Sequence, residues 1–74
     1  MVSFKAWLNG HRHAQTAIGD LARDAAQDPN WPRTSSLKRL VAHLDDMGAI
    51  DRAIDTLRRA HQEYEEEKLA SPSR

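Results

Sequence analysis

The sequence predicts an all-α chain folded as one compact four-helix bundle, and three observations predict it. Apolar residues recur at helical spacing in four separate segments. Nowhere do apolar and polar residues alternate as in a strand, and residues suited to start or stop a helix punctuate the segments. Helices this short are marginal alone, so four of them joined by short connections must share one core. The connection that organises them is Asp28-Pro29-Asn30-Trp31-Pro32. Each proline lacks an N–H and disfavours helical geometry in the residue before it, so no helix passes through this corner.

Ser3 is suited to cap a first helix that runs from about Ser3 to Asn9 or His11, with Phe4, Trp7, Leu8 and His11 on one face. Gly10 then ends that helix or weakens its last turn, at about 1 kcal/mol relative to alanine. A second helix begins after Thr16, places Ile18, Leu21, Ala22 and Ala25 on one stripe with Asp20 near its positive end, and stops by Gln27. Its small residues Ala22, Ala25 and Ala26 let another helix approach closely. Ser35 or Ser36 caps a third helix with Leu37, Leu40, Val41, Leu44 and Met47 on one face, and Gly48 stops it in the left-handed region. The fourth pattern, Ile50, Ala53, Ile54, Leu57, Ala60 and Tyr64, is the longest and extends to about Glu67, with Asp55 and Arg59 spaced to pair on its outer face.

The expected core is Phe4, Trp7, Leu8, Leu21, Trp31, Leu40, Leu44, Ile54, Leu57 and Tyr64. Trp31 is expected to plug the gap between helices rather than stand exposed, because aromatic side chains dominate small cores by buried area. Residues 1–68 read as a single helical domain. Residues 69–74 read as a flexible tail, since Ser71-Pro72-Ser73-Arg74 has no apolar face to bury.

A chain of 74 residues makes one small domain. Such a domain buries only about 60% of the surface its unfolded form exposes. With no cysteine, packing carries the fold unaided by disulfides or thiolate metal sites, which suits a reducing compartment. The apolar runs are short, and no hydrophobic signal segment follows Met1-Val2-Ser3-Phe4-Lys5, so a soluble cytoplasmic protein with no membrane partner is expected. Eleven Lys and Arg balance eleven Asp and Glu, so no global basic field announces a nucleic-acid binder. The balance is uneven along the chain: residues 1–44 carry six basic and three acidic side chains, residues 45–74 five and eight. The run Glu63, Glu65, Glu66 and Glu67 reads as a solvated helix end.

No constellation for chemistry emerges. His11, His13, His43 and His61 invite a metal reading, but no carboxylate or thiol sits at a ligand spacing that would fix the geometry, and they read as solvated loop and surface histidines. Ser3, Thr16, Ser35 and Ser36 all stand where helix caps are wanted, which is sufficient use for a hydroxyl. Asp45 and Asp46 are adjacent and point to different sides of a turn, so they do not form an acid and base pair. There is no glycine-rich phosphate loop. No catalytic residue, metal, cofactor or small-molecule substrate is expected.

Two basic groups remain. Arg23, Arg33, Lys38 and Arg39 gather in sequence around the proline corner and form the first candidate interaction patch. Arg52, Arg58 and Arg59 form the second, on the latter helix of a helix-turn-helix outline made by helix three, the Met47-Gly48-Ala49 turn and helix four. Asp45, Asp46, Asp51 and Asp55 crowd the edge of that second patch.

The spacing of Ser3-Phe4 with Trp7-Leu8, then Ile18-Gly19-Asp20-Leu21-Ala22 with Asp24, Asp28 and Trp31-Pro32, then Leu40 to Leu44 and Ala60 with Tyr64, resembles the YozE family of small bacterial proteins. The resemblance covers Ser3 to Tyr64. Its most specific pieces are the opening Ser-Phe-x-x-Trp-Leu and the Asp-x-x-Trp-Pro corner. The chain departs from the pattern in being shorter before helix four and in having His61 where an aromatic residue is common. The resemblance implies a SAM-like bundle of short helices, and SAM domains typically polymerise, pair with other domains or, in some cases, hold RNA hairpins. The expectation is a non-catalytic module that self-associates or docks to a protein partner. The competing expectation is a DNA- or RNA-binding accessory protein using the patch beside Trp31-Pro32.

Overall fold

Ser3, Thr16 and Ser36 each hold extended backbone and accept a hydrogen bond from the N–H three residues on, so three helices start where a side-chain oxygen satisfies an orphan amide. The computed structural model describes residues 3–70, which form α1 (Phe4–Asn9), α2 (Ala17–Gln27), α3 (Leu37–Asp46) and α4 (Asp51–Ala70). No strand occurs among the described residues. The fold is an all-α bundle of four helices, as the spacing and the resemblance lead one to expect.

α4 is the element the others share. α1 packs against α2, both pack against α4, and α3 packs against α4 from elsewhere on its surface. Leu57, Ala60 and Tyr64 of α4 are buried between these partners, together with Phe4, Trp7 and Leu8 of α1, Leu21, Ala22 and Ala25 of α2, Trp31, and Leu40 and Leu44 of α3. Phe4 sits at the aromatic centre, with Trp7 at 5.9 Å and Tyr64 edge-on at 5.5 Å between ring centroids. At about 1.5 Å per residue, the twenty-residue α4 is long enough to outrun its partners. Tyr64 is the last buried side chain among those described on it.

Two glycines are required where they stand. Gly48 ends α3 with φ at 76°, the left-handed geometry that favours glycine. A Cβ on Gly19 would lie 1.9 Å from the Ala14 carbonyl oxygen, so the loop before α2 closes onto a position where only a hydrogen fits.

Several expectations need correction. Met47 and Ile50 complete their apolar stripes in sequence, yet they are 62% and 69% exposed. Met47 has become the C-cap of α3 and Ile50 precedes α4, so the helical register that would turn them inward has already ended or not begun. Ile54 is half-buried rather than central, and Ala26 is exposed. Asp55 and Arg59 do not meet, and the ion pairs of the described residues lie elsewhere. α4 continues beyond the expected domain end to Ala70, with Leu69 exposed, so residues 69–70 are helix rather than tail. Residues 71–74 of the expected tail lie outside the described residues.

Candidate functional site

The proline corner is built by its own side chains. Asp28 Oδ1 accepts the Asn30 N–H at 2.9 Å, and the Trp31 N–H donates to the Asp28 carbonyl at 3.2 Å, so the chain turns on an aspartate before entering Trp31-Pro32. Both peptide bonds preceding the prolines are trans. Trp31 is buried at 5% exposure, as its place in a small core implies. Its ring meets the His43 ring edge-on at 5.7 Å.

His43 links that corner to α3. Its Nε2–H donates to Asp28 Oδ2 at 2.7 Å, with the two side chains only 15% and 14% exposed. The His43 hydrogen bond, then the Asn30 amide, hold the Asp28 carboxyl below its ordinary value of 3.8 against the opposing effect of burial, with the charges of His43 and Lys5 adding to the lowering. His61 Nε2–H donates to the Ser35 carbonyl at 2.7 Å, and its ring lies 5.4 Å from Phe4 and 6.1 Å from Tyr64, so it fills an aromatic position. His11 Nδ1–H donates to the Trp7 carbonyl at 2.9 Å with its ring 4.2 Å from Trp7. The solvated reading of the histidines therefore fails for these three. Each is half-buried, donates to a nearby oxygen and lies beside an aromatic ring of the core. Among the described residues, no three His, Cys, Asp or Glu side chains gather to hold a metal ion.

The first candidate patch divides. Arg23 donates to the carbonyls of Arg12 and Ala14, at 2.6 and 3.2 Å, and pairs with Asp20, so its guanidinium ties down the α1–α2 loop. Arg33, Lys38 and Arg39 are exposed and form no ion pair among the described residues. Arg33 and Lys5 instead line one hollow of about 430 Å³ together with Ser3, Thr34 and Ser35. Lys5 escaped the sequence reading because nothing in the spacing reveals that residue 5 faces residue 33. The tie that joins them is the Phe4 N–H donating to Ser35 Oγ at 3.2 Å, a contact across thirty-one residues.

The second patch stays dispersed along α4. Arg52 borders a groove of about 230 Å³ between α2 and α4 that also holds Asp20, Asp24 and Ile50, while Arg59 borders a different groove with Glu63. Arg58 is exposed. Acidic side chains lie among all three arginines, so α4 presents no continuous basic face.

A family model described as the YozE SAM-like fold matches residues 3–66. No curated protein and no solved structure matches the chain.

Proposed function

The chain belongs to the YozE SAM-like family, and we propose that it works as a small non-catalytic module for protein–protein association. A second copy of the chain is its first partner, and docking to another protein is the same activity directed elsewhere. The observation that supports this reading most is the exposed pair Met47 and Ile50, three residues apart on the turn between α3 and α4. Single exposed apolar residues are ordinary, but here two fall on one short turn, and Ile50 lines the α2–α4 groove together with Leu21 and Ala53. Exposed aspartates 45, 46 and 51 surround the turn. Arg33, Lys38 and Arg39 offer the complementary charge on a second copy, and opposite charges favour one orientation of encounter.

Sedimentation velocity across a wide concentration range tests the proposal, with a rising average mass expected for the parent chain and a strict monomer expected for Ile50→Lys. A pull-down from host lysate with nuclease checks the docking form. A monomer at every concentration together with no captured protein overturns the proposal. The compartment we propose is the bacterial cytoplasm, which the cysteine-free composition suits. No helix of the described residues is long and apolar enough to cross a membrane.

A second reading, nucleic-acid binding through Arg33, Lys38 and Arg39, draws on the freedom of those three side chains. Arg23 takes no part in it. Fluorescence titration with duplex and single-stranded oligonucleotides at two salt concentrations separates the readings, since phosphate binding must weaken steeply with salt. Charge reversal at Lys38 and Arg39 should then abolish the signal.

A further inference from the structure

We infer that the hollow between the start of α1 and the loop entering α3 binds a phosphate monoester carried by a small molecule. Five residues line it: Ser3, Lys5, Arg33, Thr34 and Ser35. All five side chains offer hydrogen-bond donors and none is a carboxylate. The three hydroxyl oxygens already accept from backbone N–H groups, Ser3 from Ala6 at 3.2 Å, Thr34 from Ser36 at 3.1 Å and Ser35 from Phe4 at 3.2 Å. These bonds hold the oxygens in place and leave each O–H proton without an acceptor among the described residues. The backbone N–H groups of Thr34 and Ser35 make no intramolecular hydrogen bond there either. The hollow is thus rich in donors and poor in acceptors, which suits an oxyanion and disfavours a cation or a neutral acceptor-free ligand.

The neighbouring carboxylate does not occupy Lys5. Asp28 senses the Lys5 charge, but its two oxygens are taken by His43 and by the Asn30 amide. Lys5 and Arg33 therefore both remain available to a ligand. The α2–α4 groove is the contrasting case, since Asp20 and Asp24 on its wall repel an anion. A monoester is favoured over a diester because donors come from two cations and three hydroxyls, enough to engage three terminal oxygens and a double charge. At about 430 Å³ the hollow also has room for more than the phosphoryl group.

Nuclear magnetic resonance titration of the full chain tests the inference, using inorganic phosphate, glycerol 3-phosphate and dimethyl phosphate against chloride at matched ionic strength. Saturable shifts centred on Lys5, Thr34 and Ser35 are expected, with glycerol 3-phosphate binding more tightly than inorganic phosphate and dimethyl phosphate weakest. Lys5→Ala and Arg33→Ala should each weaken binding about tenfold, the worth of one charge-assisted hydrogen bond, while Arg58→Ala leaves it unchanged. Both exposed substitutions should keep the parent melting temperature. Tighter binding of inorganic phosphate than of glycerol 3-phosphate would confine the site to the free ion and overturn the small-molecule assignment. Shifts spread over all cations, equal response to chloride or the diester, or binding indifferent to Lys5 and Arg33 would overturn the site altogether. The site stands or falls independently of chain association, because the titration reads it at concentrations where sedimentation shows a monomer.

Discussion

Asp28 does two jobs at the scale of single residues, turning the chain with one carboxylate oxygen and holding His43 with the other. Because its carboxyl titrates lower in the folded chain than in the unfolded one, it adds stability above about pH 3.8, and that contribution is lost as pH falls through the depressed folded value. Asp28→Asn should therefore lower the urea midpoint near neutral pH, with the difference from the parent shrinking on acidification below the ordinary carboxyl range. Gly19→Ala should cost about 2–3 kcal/mol by urea unfolding, because its methyl group meets backbone rather than a flexible side chain. Gly48→Ala has open space around it and meets only the left-handed backbone, so about 1–2 kcal/mol is expected. Gly48 was legible in the sequence as a helix stop. Gly19 was not, because its constraint comes from Ala14 in a loop whose path no periodicity encodes.

At the scale of elements, the four helices were legible almost to their ends, because their caps are local: Ser3, Thr16 and Ser36 act within three residues of themselves. What spacing could not reveal is where a stripe ceases to be helix. Met47 and Ile50 fit the stripes of α3 and α4 but fall on the connecting turn, and solvent rather than core receives them. Ile50→Lys and Met47→Lys should each change folding stability by no more than about 0.5 kcal/mol, the usual range for exposed positions, in thermal and urea melts. A loss of several kcal/mol would restore them to the core. The histidines were misjudged for a related reason. Their partners are backbone oxygens or a distant aspartate, and Ser35 bonding to both Phe4 and His61 is a tertiary fact.

For the whole molecule, zero net charge conceals a surplus of base in residues 1–44 and of acid in residues 45–74. The fold keeps part of that division on its surface, with exposed aspartates at the α3–α4 turn and free cations on and before α3. Association through these surfaces should weaken as salt rises, because exposed charges are screened beyond about 10 Å at 0.1 M salt. The apolar contact of Met47 and Ile50 should retain part of it. The measurement that tests the association account most directly is sedimentation equilibrium of the parent chain beside Ile50→Lys at matched concentrations and low salt. The account predicts reversible self-association of the parent that is lost in the substituted chain at unchanged melting temperature. Equal behaviour of the two chains, whether both monomeric or both associated, would contradict it.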